Sequence, residues 1–240
     1  MTTPLPLTTR RATLQTVSLL IIFYGYIYGN AMLRGSASLE QVNLVASVFV
    51  TGALMLFITA FMLRRDVDWR DSLQVRTVPV VQAIVFGAVG VVLSYGAGAL
   101  ALGAYSLLGP DLKEQLSEKL TWVSKLGTLP LYWIIPISIF VGLWEEIVFR
   151  GFLLSRLKVI FRDNTTLVVI VVGVLFGLGH GYQGLQGILQ TAAVGMALTA
   201  ITLWRKSLWP AVIAHFSIDT IGLVATRLLK PLAEDLLKKV

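Results

Sequence analysis

Three short stretches place ionisable side chains inside strongly apolar sequence. They are Glu145-Glu146-Ile147-Val148-Phe149-Arg150, Phe176-Gly177-Leu178-Gly179-His180 and His215-Phe216-Ser217-Ile218-Asp219. Charge within a bilayer is costly and is kept only where it is paired, wetted or used. Both histidines of the chain fall in these stretches. A carboxylate with an imidazole can activate water. An imidazole or a protonated carboxyl can stabilise an oxyanion. Glu145, His180, His215 and Asp219 are therefore the residue types a hydrolytic centre inside a helical membrane bundle would need.

Spacing separates their roles. On an α-helix Glu146 and Arg150 are four apart and face each other, and a buried pair offsets the cost of both charges. Glu145 points about 100° away, which leaves its carboxylate for chemistry. Gly173, Gly177 and Gly181 form a small-residue face suited to close helix packing. With helix continuing through it, His180 lies on that face and points into the bundle. Glu145 is about 12 residues, roughly 18 Å, from the inner end of its helix, and His180 about 15 residues, roughly 23 Å, from the start of its own. Antiparallel neighbours bring the two near one level. His215 and Asp219 are four apart on one face, so Asp219 can accept a ring N–H and orient the imidazole. Ser217 lies roughly 200° round from His215, which argues against a Ser–His dyad. The same polar residues also suit plain helix-to-helix staples. No His-Glu-x-x-His zinc motif occurs, no Gly-x-Ser-x-Gly elbow, and no span carries a pair of catalytic-looking aspartates.

The elements that must position these residues are membrane spans. Of the 240 residues 56% are hydrophobic and only 14% charged, against about 25% in soluble domains. The expectation is an all-α, polytopic transmembrane helix bundle with about seven or eight spans. It is read as one integral membrane domain over 1–240, with a motif-bearing core over 131–220. Runs long enough to span are Thr13–Asn30, Gln41–Leu63, Pro79–Leu107, Thr128–Leu157, Thr165–Tyr182, Gln186–Trp204 and Leu208–Arg227; splitting the third gives eight. Pro136 is expected to kink the fourth. The first is read as a retained helix rather than a cleaved signal. Asp111 is expected to cap an interfacial helix with Leu112, Leu116, Leu120 and Val123 on one face. Absence of cysteine excludes disulfides, thiol nucleophiles and thiolate metal sites. The net charge of +7 resides mainly in short loops, as the positive-inside rule expects, and no basic run with interleaved aromatics suggests nucleic acid. Arg10, Arg11, Arg64, Arg65, Arg70, Arg76, Arg156, Lys158, Arg162, Arg205 and Lys206 fall on one side, so the N-terminus is expected to be cytoplasmic in a multi-pass cell-membrane protein. Lys113, Lys119, Lys125, Lys230, Lys238 and Lys239 fall on the other.

The ordered motifs Glu145-Glu146…Arg150, Phe176…His180 and His215…Asp219 resemble the CAAX protease and bacteriocin-processing family, also called the Abi family, which includes the type II CAAX prenyl endopeptidases. Phe149-Arg150-Gly151-Phe152-Leu153 and Ser207-Leu208-Trp209-Pro210-Ala211 fit the same pattern. The resemblance covers about Leu131 to Thr220. It implies a glutamate-dependent intramembrane endopeptidase in which Glu145 with His180 activates water. His215 with Asp219 would stabilise the oxyanion, with Glu146 and Arg150 in support. The prenyl endopeptidases have Asn where this chain has Asp219. The implied partners are a peptide or protein substrate, prenylated or lipidated ones included, and membrane lipids. No cofactor is implied. The runner-up mechanism places zinc on Glu145, His180, His215 and Asp219, an acceptable N/O ligand set. Outside catalysis, the alternative is a membrane immunity or adaptor protein with a structural polar core.

Overall fold

The computed structural model describes residues 6–34, 41–109 and 128–237. Among them every regular element is a helix: α1 (Thr9–Arg34), α2 (Gln41–Leu63), short α3 (Trp69–Leu73), α4 (Val80–Ser106), α5 (Leu131–Glu146), a π-helical stretch Ile147–Leu153, α6 (Leu154–Ile160), α7 (Thr165–Leu178), a single 3-10 turn (Gly181–Gln183), α8 (Gly184–Arg205) and α9 (Trp209–Leu237). In hydrocarbon the backbone must satisfy its own hydrogen bonds, and long apolar runs do so as helices. Six helices are long and apolar enough to cross a membrane, α5 through α6 counting as one, and α7 is a shorter apolar helix. The chain is thus a multi-pass membrane protein, and the expected bundle is observed.

The spans differ in detail from the sequence reading. The third is one continuous helix and does not split. The fourth runs helically through Pro136 and then widens into the π stretch. The seventh extends to Leu237. The expected interfacial helix after Asp111 lies outside the described residues. The largest correction concerns the fifth span. Its helix stops at Leu178, because glycines at 177, 179, 181 and 184 remove helix propensity in quick succession. Gly184 takes φ +74°, a conformation that suits glycine. His180 therefore sits in a turn and not on the glycine face of a continuing helix.

Packing explains the arrangement of the spans around that turn. α8 packs extensively against α7 and α4, and α9 against α4 and α5. The glycine face of α7 is real at two positions. A Cβ on Gly177 would stand 2.5 Å from the Ile188 carbonyl oxygen, and one on Gly173 2.8 Å from that of Ala192. The buried cluster beside the polar centre is aromatic and aliphatic, including Phe23, Met55, Trp144, Phe149, Phe152 and Phe176.

At the end bearing Arg10 and Arg11, a buried ionic network joins α1, the α2–α3 loop and α6. Asp66 accepts from Arg11 at 2.8 Å and from Arg156 at 2.6 Å. Arg156 also donates to Gln15 and Ser155 and lies over the Phe152 ring. Sequence reading placed Arg156 among the loop charges; it is fully buried within a helix.

Candidate active site

The last turn of α5 delivers Glu145 and Glu146 next to each other, and the π stretch that follows carries Arg150. A π segment inserts an extra residue per turn and is frequent at functional sites. Two glycines let other helices approach this point. A Cβ on Gly142 would lie 3.0 Å from the Phe216 backbone nitrogen, so α9 passes close to α5. A Cβ on Gly195 would lie 3.2 Å from Arg150 Nη2.

Glu146 and Arg150 are fully buried and paired at 2.7 Å, as the spacing predicts. Arg150 Nη2 also donates to the Gly195 carbonyl at 3.1 Å. The guanidinium lies 4.1 Å from the Phe176 ring centroid. The sequence reading treated this pair as structural only. The structure adds a bond it missed: the Glu146 Oε1 that receives Arg150 also lies 2.7 Å from His215 Nδ1. An arginine-paired carboxylate has only acceptors to offer, so His215 Nδ1 carries the proton and donates. Neutral His215 then presents Nε2 to the rest of the site as an acceptor. It can donate from Nε2 only when doubly protonated.

His215 Nε2 faces two further carboxyl groups, 3.8 Å from Glu145 Oε2 and 3.7 Å from Asp219 Oδ2. Both separations exceed direct hydrogen-bond range and suit a bridging water or substrate atom. Glu145 accepts no hydrogen bond among the described residues, and its Oε2 is buried. Exposure rises across the cluster, from 7% for the His215 side chain to 11% for Glu145 and 28% for Asp219. Ser217 bonds the Ile213 carbonyl and takes no part.

His180 is attached from another direction. Its Nδ1 lies 3.0 Å from the Phe176 carbonyl oxygen. A carbonyl only accepts, so this nitrogen too carries the proton and Nε2 is left as an acceptor. The Phe176 ring contacts both imidazoles, its centroid 4.9 Å from that of His180 and 5.8 Å, in a T-shaped pair, from that of His215. The structure thus groups Glu145, Glu146, Arg150, His215 and Asp219 by their polar groups, and joins His180 to them through Phe176. Direct contact between Glu145 and His180 is not among the described interactions. Nor do three His, Cys, Asp or Glu side chains among the described residues form a set that would hold a metal ion. No step below is routed through a metal.

Beyond Glu146 as a ligand of His215, sequence reasoning missed Gly195 and the tyrosines that brace α7. Tyr24 Oη donates to the Leu175 carbonyl, and Tyr28 Oη to that of Leu178 at 2.6 Å. Contacts across helices leave no spacing signal in a sequence.

Fold and site together define a polytopic helical membrane protein with a buried ionisable centre between four of its spans. Residues 127–221 match the family described as Rce1-like, type II CAAX prenyl endopeptidase, so the resemblance read from the three motifs holds for this segment. Neither the curated proteins nor the solved structures gave a match to the chain.

Proposed function

We propose that this protein is an intramembrane endopeptidase that hydrolyses a peptide bond with Glu145 as the base. The observation that carries the reading is the buried Glu145 Oε2, without a hydrogen-bond partner and 3.8 Å from His215 Nε2. The Rce1-like match over 127–221 supports the same reaction class.

A water held between Glu145 and the free Nε2 of His180 loses a proton to Glu145 as its oxygen attacks the scissile carbonyl carbon. The carbonyl π electrons move onto oxygen. Doubly protonated His215, held through Nδ1 by Glu146, donates from Nε2 to that oxyanion, and Asp219 contributes beside it. Collapse breaks the C–N bond, and the proton taken by Glu145 passes to the leaving amine. Arg150 takes no part in the chemistry; it holds Glu146.

The substrate class that follows is a peptide or protein whose cleavage point lies within or at the membrane, prenylated tails included. A panel of prenylated C-terminal peptides, their unprenylated counterparts and leader peptides tests this by mass spectrometry, with Glu145→Gln as the blank. Hydrolysis in ¹⁸O water should place one label in the new carboxyl group. No product from any member, or equal product from Glu145→Gln, rejects the reading.

A further inference from the structure

We infer that a recess at the arginine-bearing end of the bundle binds the phosphate headgroup of an anionic phospholipid. The recess has a volume of about 770 Å³ and is walled by α3 and the residues after it, the α6–α7 loop and the end of α8. It is separate from the ionisable centre: Lys158, which lines it, stands roughly 18 Å from Glu145 along the helix axis. The inference holds whether or not the protein is a hydrolase.

The helix ends bring cations together here. Gln74, Asp163 and Lys206 all line the recess, with φ of +54°, +59° and +51°. Left-handed backbone is uncommon outside glycine. Lys206 closes α8 in that conformation, and its side chain remains exposed. Arg76 and Lys158 complete a set of three cations. Two carboxylates share the recess: Asp71 accepts from Arg76 at 3.0 Å, and Asp163 lies 3.6 Å from Lys158. Lys206 has no carboxylate partner among the described residues. One positive charge is thus in excess, the complement of a phosphodiester. Both ion pairs are solvent-exposed, and such pairs hold weakly. Arg76 and Lys158 can therefore turn to a phosphate, which a guanidinium engages through two parallel bonds. Thr165, in the first turn of α7, also lines the recess, at the helix end whose dipole favours an anion. Gln74 Oε1 is buried without a hydrogen-bond partner and is available to a headgroup hydroxyl.

The remaining wall separates a lipid from a soluble anion. It is apolar, made by Val169 of α7 with Leu203 and Trp204 of α8. Trp204 is 60% exposed and forms a T-shaped pair with Phe86 at 5.1 Å. Arg205 lies over the same Phe86 ring. Trp204 and Arg205 are the last residues of a helix long enough to span, where tryptophan marks the headgroup level. A soluble phosphate would use the cations alone. A phospholipid also uses the apolar wall, with its acyl chains running along α7 and α8. Basic segments beside spans attract anionic lipids in the same way.

Full-length protein in detergent is mixed with phosphatidylglycerol or with phosphatidylcholine of the same acyl chains, and retained lipid is counted by native mass spectrometry. One phosphatidylglycerol should be held in preference to phosphatidylcholine. Lys206→Asn supplies a residue that tolerates left-handed φ. It should weaken retention about tenfold, the scale of one charge-assisted hydrogen bond. Arg76→Gln should act similarly, and it replaces Lys206→Asn if that variant does not accumulate. Arg10→Gln removes a charge from the same end of the bundle but outside the recess, and should leave retention unchanged. Equal retention of the two lipids, or equal losses for Arg10→Gln and Lys206→Asn, overturns the proposal. Glycerol 3-phosphate carries phosphate and glycerol without acyl chains. Its displacing the lipid at equal concentration would mark a soluble-anion site and overturn the lipid assignment.

Discussion

Glu146→Gln tests whether the buried pair only holds helices together or also serves the reaction. One oxygen of Glu146 takes two charge-assisted bonds, each at 2.7 Å, from Arg150 Nη1 and His215 Nδ1. Glutamine is nearly isosteric. Its amide oxygen stays toward the two donors, because a flip would set its NH₂ against the guanidinium. The contacts survive while the negative charge is lost, and Arg150 becomes an uncompensated buried cation. Breaking such a pair typically costs about 3–5 kcal/mol. Since the amide still accepts both bonds, the lower end, about 3 kcal/mol, is expected.

The catalytic effect follows from His215. On the proposed mechanism the doubly protonated ring donates to the oxyanion, and without the carboxylate it loses its charged partner. A deficit of about 2.7 kcal/mol in the transition state is a loss of about 10²-fold in rate. The assay is kcat and KM on a cleaved peptide, normalised to the folded fraction from thermal unfolding and gel filtration. Arg150→Lys is the contrast. It keeps a cation near Glu146 but loses the fork to the Gly195 carbonyl, so it should unfold more easily while its kcat per folded molecule stays near wild type. A Glu146→Gln protein that is destabilised but keeps full kcat per folded molecule would refute the coupling.

Glu145→Gln should abolish hydrolysis yet change stability by less than about 1 kcal/mol, because Glu145 has no hydrogen bond to lose; a drop in unfolding midpoint as large as that of Glu146→Gln would contradict this. Purified protein should keep its rate in chelator, and elemental analysis should find no stoichiometric zinc; loss on chelation with rescue by zinc would favour the zinc mechanism instead. Asp219→Ala should lose roughly 10²–10³-fold, the scale of one removed oxyanion donor, whereas Asp219→Asn should retain much of the activity. If Asp219 donates as a neutral acid, wild-type rate falls as pH rises through its ionisation and Asp219→Asn keeps its rate there; profiles of identical shape would show that its ionisation does not govern the reaction.

Sequence carries what lies along one helix and loses what lies between helices. The i,i+4 pairing of Glu146 with Arg150 and the shared face of His215 and Asp219 were readable from spacing. The six long spans were readable from apolar runs. The end of α7 at Leu178 was not read correctly: hydropathy continues through the glycines, but conformational preference does not, and His180 follows the backbone rather than the hydropathy. The bond from Glu146 to His215 joins residues 69 apart, and Gly195 meets Arg150 across another helix. Such contacts depend on how spans are rotated against one another, which close packing at Gly142, Gly173, Gly177 and Gly195 decides.

That packing also explains how so many ionisable groups persist inside one bundle. Phe176 is the point where the requirements meet. Its ring forms a T-shaped pair with His215, one face receives Arg150, and its other ring contact is His180, whose Nδ1–H its own carbonyl accepts. An aromatic ring attracts a cation to its face and excludes water without demanding a hydrogen bond. Polar side chains at the same position would need partners of their own and would compete for Arg150 and the two imidazoles. The Phe-x-x-x-His spacing therefore does two jobs at the helix end. It provides the carbonyl that fixes the His180 tautomer, and it places an apolar ring against both imidazoles and the Arg150 guanidinium. Each imidazole has its Nδ1 held by a different acceptor, which leaves its Nε2 for the site.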